Sequence, residues 1–314
     1  MPSLSPNPVP DPSDLLSAGV SVGRSLRRRT FLATLVSAMA AAGAARAEEP
    51  SGGNRAVEKG YAPVNGLKMY YEVHGAERRD VPPLVLLHGG GSTIETSFGA
   101  VLPQLARARR VIAFEQQGHG RTADVDRPFS FEQSADDAAA LLRHLQIPQA
   151  DLWGYSNGGN VAMQVAVRHP ALVRRLVIMS SMSRNDGLIA GFHDSLKGAT
   201  PDSMPAELRE AYRKNSPHPE ALPQFVTKCV TRMLEFRDWP DSMLRGIAAP
   251  ALVLVGDADV VRPEHAVEMF RLLPAGQLAI LPAADHMQII RRTDLLLPLV
   301  STFLDAAPAA SQPR

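Results

Sequence analysis

Short apolar runs separated by amphipathic stretches recur from Leu67 to Leu304, and this alternation dominates the chain. Leu67 to His74, Leu84 to His88, Arg110 to Phe114, Ala150 to Trp153, Val173 to Met179, Ala251 to Val255 and Gln277 to Leu281 read as strands. Between and after them, Glu95 to Arg107, Phe131 to Leu145, Gly159 to His169, Pro263 to Leu273 and Asp294 to Leu304 carry helical spacing. In the second of these, Ala135, Ala138, Leu141, Leu142 and Leu145 fall on one helical face. Strands apolar along their whole length, alternating with amphipathic helices, predict an α/β fold: a mostly parallel sheet with helices on both faces.

The pattern breaks between Ser183 and Arg245. This stretch is rich in Met, Pro and charge, has helix-like segments at Ala206–Asn215 and Pro223–Phe236, and contains no convincing apolar strand. An insertion after the strand ending at Met179 would lie over the carboxyl ends of the strands, the edge where open α/β sheets bind ligands. The expected division is therefore a core over 61–182 and 246–305, a small helical cap over 183–245, and a tail over 306–314.

The first residues belong to a different kind of sequence. Arg27-Arg28-Arg29-Thr30-Phe31-Leu32 precedes an alanine-rich apolar run ending in Ala45-Arg46-Ala47 and Glu48. Basic, then apolar, then small-x-small is the order of a secretory signal over 1–47, and the arginine pair makes it similar to a twin-arginine signal. The expected location is thus periplasmic or secreted, with an uncleaved anchor as the rival. The run is too short and too diluted by small residues for a spanning helix, so no stable membrane insertion is expected after cleavage. Residues 48–60 read as a loose polar leader.

Composition narrows the classes. The formal net charge of +1 leaves no footprint for nucleic acid, and removing 1–47 takes five arginines and two aspartates and turns it to −2. The lone cysteine, Cys229, excludes an internal disulfide and a multi-cysteine metal site. No Gly-x-Gly-x-x-Gly and no His-Glu-x-x-His occurs, so no nucleotide or metal cofactor is expected.

Gly154-Tyr155-Ser156-Asn157-Gly158 stands between a strand and a helix. Such a turn pushes the serine hydroxyl out of the backbone's shadow, and side chains at the flanking glycines would clash across it. A serine hydroxyl needs a base, and the base needs an orienting group. His286 follows the strand Gln277–Leu281, at the rim where it would meet Ser156. Asp259, in the loop after Ala251–Val255, is the favoured acid. Asp257 would instead bond nearby amides, and Asp285 is a weaker alternative. His88-Gly89-Gly90-Gly91 ends another strand, and the amides of Gly90 and Asn157 could converge on one oxygen as an oxyanion hole.

The order Ser156, Asp259, His286 with an upstream His-Gly loop resembles the α/β-hydrolase superfamily, over about Tyr61 to Leu304. Gly118-His119-Gly120-Arg121-Thr122 is similar to a turn of that superfamily, usually Asp-x-Arg-Gly-His-Gly-x-Ser. Here Glu115-Gln116-Gln117 replaces the first part and Thr122 the serine, and His119 reads as a turn residue. The resemblance implies a serine hydrolase cleaving a small-molecule carboxylic ester or lactone through an acyl-enzyme, without a cofactor. C–C bond hydrolysis, amide hydrolysis and perhydrolase or haloperoxidase chemistry share the triad. A non-catalytic ligand-binding relative is the reading of another class. Similar epoxide and haloalkane hydrolases usually carry aspartate where Ser156 stands.

Overall fold

The computed structural model of the protein describes residues 58–78 and 80–307. The export signal read over 1–47, the leader as far as residue 57 and the tail from 308 lie outside the described residues. No helix of the described residues is long and apolar enough to cross a membrane.

Eight strands form one sheet in the order β1-β2-β4-β3-β5-β6-β7-β8. They are β1 (Glu58–Val64), β2 (Leu67–His74), β3 (Leu84–Leu87), β4 (Val111–Phe114), β5 (Ala150–Tyr155), β6 (Val173–Met179), β7 (Ala251–Ala258) and β8 (Gly276–Asp285). The pairs β1–β2 and β2–β4 are antiparallel, and the remaining neighbours are parallel. The chain therefore has the expected α/β-hydrolase fold class, a mostly parallel sheet with helices on both faces.

Alternate residues of each central strand feed opposite cores, which is why these strands are apolar throughout. Val85 and Leu87 of β3 pack with Ala135, Leu141 and Val161, from α3 (Phe131–His144) and α4 (Asn157–Arg168). Leu84 and Leu86 pack on the other face with Phe98, Leu105, Leu296 and Phe303. Those residues come from α1 (Ile94–Phe98), α2 (Leu102–Ala108) and α10 (Thr293–Asp305). Each such side chain contributes about 1.5–3 kcal/mol on burial, so both faces are needed to hold the sheet.

Two expectations are corrected. No strand was read before Leu67, and 58–60 fell in the leader; β1 starts at Glu58 and pairs with β2 across Asn65-Gly66, both at positive φ (46° and 83°). Only Ala62 and Val64 of this edge strand are buried, so its alternation is faint. The single helix read over Glu95–Arg107 is two: α1, capped by Thr93, and α2, with Pro103 in its first turn, where a missing N–H costs nothing.

Between β6 and β7 the chain forms α5 (Phe192–Leu196), α6 (Ala206–Asn215), α7 (Leu222–Leu234) and α8 (Asp241–Arg245). Leu222, Phe225 and Val226 of α7 and Tyr212 of α6 make a separate apolar cluster with Phe129. The last α/β unit, β7, α9 (Pro263–Leu272) and β8, then completes the sheet.

Candidate active site

Ser156 sits where β5 turns into α4, at φ 54° and ψ −127°. A non-glycine residue there costs on the order of 1–3 kcal/mol, so the surroundings must enforce it. They do: its N–H donates to the Met179 carbonyl at 2.8 Å, and its own carbonyl accepts from Ser181 Oγ at 2.7 Å. The flanking glycines leave no room for side chains. A Cβ on Gly154 would lie 2.2 Å from the Gly158 carbonyl oxygen, and one on Gly158 would lie 1.9 Å from that of Leu87.

Strand β8 runs four residues beyond Leu281, with Ala283 at φ 51°, and delivers His286 directly after Asp285. Its Nε2 stands 3.0 Å from Ser156 Oγ, and its Nδ1 stands 2.7 Å from Asp259 Oδ1. Asp259 is buried, accepts from Ser180 Oγ at 2.5 Å on its other oxygen and from the Val261 amide at 3.1 Å. Burial alone would raise its pKa, but His286, Ser180 and the Val261 amide outweigh burial and hold the carboxyl below the ordinary aspartate value. An ionised Asp259 accepts a hydrogen bond from Nδ1–H and so leaves Nε2 free to accept from the serine hydroxyl. Tyr155 steadies the same imidazole, donating its hydroxyl to the His286 carbonyl at 2.5 Å with its ring 5.4 Å from the imidazole.

The other two carboxylates are engaged elsewhere. Asp257 accepts from the amides of Ala283 and Ala284 at 3.0 and 3.1 Å. Asp285 accepts from the amides of Met287 and Gln288 at 2.9 and 2.7 Å.

The glycine loop is held by two histidines. His88 Nε2 accepts from the Gln116 amide at 3.0 Å, while His119 Nε2 accepts from the Gly91 amide at 3.2 Å. Complete burial pushes His88 down to about 4 and His119 well below its ordinary value. Both rings are therefore neutral at physiological pH, as acceptance at Nε2 requires. The amides of Gly89 and Gly91 are thus spent on Ser97 Oγ and His119. Gly90 and Asn157 line a cavity of about 440 Å³ together with Ser156 and His286. The rest of its wall is mainly apolar, with Met182, Leu188, Phe192, Met204, Leu208 and Met233 among the contributors.

Sequence patterns gave no sign of Ser180 or Tyr155, whose roles arise from strand ends far apart in the chain. The contact of His119 with Gly91 was also missed, although the Gly-His-Gly turn carrying it was visible.

The sequence profile of the alpha/beta hydrolase fold matches residues 82–222. A 2-hydroxymuconate semialdehyde hydrolase of Pseudomonas sp. (strain CF600) is 30% identical over 254 residues, covering 73% of this chain and 89% of that protein. The human serine hydrolase BPHL is 27% identical over 255 residues, covering 77% and 84%. Among solved structures, an enol-lactonase from Burkholderia xenovorans LB400 superposes with a TM-score of 0.62 at 22% identity, over 78% of this chain and 100% of that one. With this fold, and with a relative of that identity spanned over most of its length, the chain belongs to the alpha/beta hydrolase fold family.

Proposed function

We propose that the protein is a serine hydrolase that cleaves a carboxylic ester or lactone through an acyl-enzyme. The observation that carries this reading is the hydrogen-bonded row Ser156–His286–Asp259, at 3.0 and 2.7 Å, opening on an apolar cavity. In the proposed mechanism Ser156 Oγ attacks the carbonyl carbon while His286 Nε2 takes its proton. Asp259 keeps Nδ1 protonated and stabilises the imidazolium. The amides of Gly90 and Asn157 receive the charge on the carbonyl oxygen, each donor being worth about 3–4 kcal/mol in the transition state. The imidazolium then protonates the leaving alkoxide. A water deprotonated by His286 attacks the acyl-enzyme, and Ser156 recovers its proton as the acid departs. The 183–245 segment acts as a cap whose apolar side chains accept the substrate's hydrocarbon part.

Hydrolysis of a carbon–carbon bond on the same triad is the second reading, favoured by the 30% identity to a 2-hydroxymuconate semialdehyde hydrolase. Fluorophosphonate labelling of Ser156, followed by turnover of esters of graded chain length, lactones and vinylogous 1,5-diketones, tests both. Labelling with ester or lactone turnover supports the first reading, turnover of the diketones alone supports the second, and a folded but unreactive Ser156 overturns both. Export through residues 1–47 is part of the proposal. The secreted form should begin at Glu48, and an exported chain that still begins at Met1 would contradict cleavage.

A further inference from the structure

The residues that follow β6 do more than lead into the cap. Ser180 donates to Asp259 at 2.5 Å, and Ser181 donates to the carbonyl of Ser156 at 2.7 Å. The Met182 carbonyl accepts from Asn160 Nδ2 of α4 at 2.5 Å. The Ser183 N–H then donates to His265 Nε2 at 3.0 Å, while its carbonyl accepts from the Trp239 amide at 2.9 Å. The strap 180–183 thus touches the acid, the elbow and the far end of the cap in consecutive residues.

The loop that carries Asp259 is tied to the same place. Val261, whose amide donates to Asp259, forms an antiparallel bridge with Leu188. The Ile189 N–H donates to the Val260 carbonyl at 2.9 Å, and the Arg262 N–H donates to the Gly187 carbonyl at 2.8 Å. Asp259 is therefore gripped from two directions, by Ser180 on one carboxylate oxygen and by Val261 on the other. Both grips run back to residues 183–189.

His265, in the first turn of α9, closes this knot. It is fully buried, and a Cβ on Gly187 would lie 2.3 Å from its Cδ2. A backbone N–H can only donate, so the contact with Ser183 requires a bare Nε2 and places the ring proton on Nδ1. Nδ1 faces Glu268 Oε2 at 3.1 Å, and Arg184 Nη2 holds that same oxygen at 2.8 Å. Burial holds the imidazole below its ordinary pKa against the pull of Glu268, which keeps the ring in the neutral form that the contact needs. An apolar side chain could fill the same space, but it would leave the buried Ser183 N–H without this acceptor. His265 does not border the cavity, so whatever it contributes to the reaction passes through its neighbours Ser183 and Gly187.

The geometry points to His265 as a positioning residue for the hydrolytic reaction: its neutral imidazole anchors the strap at Ser183, and through the strap and the adjoining loop it keeps Asp259 aligned on His286. The inference rests on the reading of Ser156, His286 and Asp259 as the reacting row. Ser180 is itself at φ 53°, a backbone that persists only where its surroundings hold it. Releasing Ser183 removes one of those supports and lets the Ser180 hydroxyl, and Asp259 with it, drift. A displacement of about 1 Å set off far from the chemistry can cost on the order of 100-fold in rate.

The test replaces His265 in two ways. In His265→Phe the ring stays and the acceptor is lost, whereas in His265→Gln the side-chain oxygen reaches the place of Nε2 and accepts from Ser183. On the best ester or lactone, His265→Phe should lower kcat by about 10- to 100-fold with KM within about threefold of wild type, and His265→Gln should recover kcat to within about fivefold. Hydrogen exchange should quicken over 180–189 and 256–262 in His265→Phe and stay unchanged in the rest of the sheet. A raised KM with kcat unchanged would assign His265 to the shape of the cap, and equal losses in both variants would assign it to packing; either result overturns the inference. A misfolded His265→Phe does not shelter it, because wild type alone carries a signature. Nitrogen NMR at neutral pH should show His265 as the Nδ1–H tautomer, and an Nε2–H or doubly protonated ring overturns the inference. If Ser156 neither labels with fluorophosphonate nor turns over any substrate, the functional reading has failed. Hydrogen exchange then decides the positioning role alone. Quickening confined to the two segments in His265→Phe and absent in His265→Gln is the supporting result, and uniform or absent quickening is the contrary one.

Discussion

The two walls of the cavity are built on opposite principles. One comes from the ends of β3, β5, β6, β7 and β8, and there almost every polar group has an assigned partner: Ser156 with His286, His286 with Asp259, Asp259 with Ser180 and Val261. Its backbone is forced, with Ser156, Ser180 and Ala283 at positive φ. The other wall comes from the helices of the 183–245 segment. It is mainly apolar and, among its residues, only glycines take positive φ. A wall whose geometry is fixed before a ligand arrives is suited to chemistry. A wall of methionines and leucines is suited to choosing what enters.

The comparison breaks most sharply at the row of three. Ser156→Ala or His286→Ala should lower ester turnover by about 10⁵–10⁶-fold with unfolding in urea little changed; turnover within tenfold of wild type would contradict the mechanism. Next comes the choice of carboxylate. Asp259→Asn should cost about 10⁴-fold in kcat, whereas Asp257→Asn, whose partners are backbone amides of the β8 bend, should cost less than about tenfold. Reversed magnitudes would move the orienting role to Asp257.

Stability should separate the walls as well. Gly158→Ala forces a methyl to within 1.9 Å of the Leu87 carbonyl and should lose about 3 kcal/mol or more. Met204→Leu on the opposite wall should lose less than about 1.5 kcal/mol and should change KM across an acyl-length series more than kcat. Equal destabilisation would erase the distinction between the walls.

The smallest effect concerns Ser180. Asp259 is held below its ordinary value in the folded chain, so its stabilisation is present above the unfolded pKa near 3.9 and is lost as pH falls through the lower folded value. Ser180→Ala removes one donor and raises the folded value. The variant should be about 1 kcal/mol less stable at pH 7, and the gap should narrow as pH drops below the ordinary aspartate range. A gap that stays constant in urea titrations at both pH values would place the hydroxyl's contribution outside the ionisation of Asp259.

Much of the core wall could be read in advance because its elements are local. The run Val173–Met179 has the bounds that its periodicity predicts, as does the helix Ala206–Asn215 of the opposite wall. The Gly-x-Ser-x-Gly turn carries its own steric reason, now visible as the short approaches at Gly154 and Gly158. Strand β1 escaped notice because an edge strand buries few side chains, although Asn65-Gly66 is itself a strong hairpin signal. Glu95–Arg107 looked like one helix because α1 and α2 continue the same apolar spacing across their break.

The sequence by itself determined the alternation of strand and helix, the elbow at Ser156, and the order in which serine, aspartate and histidine follow strand ends. These are properties of neighbours along the chain, set by side-chain period and backbone sterics. Only the tertiary structure decided that Asp259 rather than Asp257 or Asp285 reaches His286, and that Ser180 and Tyr155 support that pair. Those outcomes depend on strand register, on which loops share a rim, and on how far each group lies from water, and none of these is a function of local sequence.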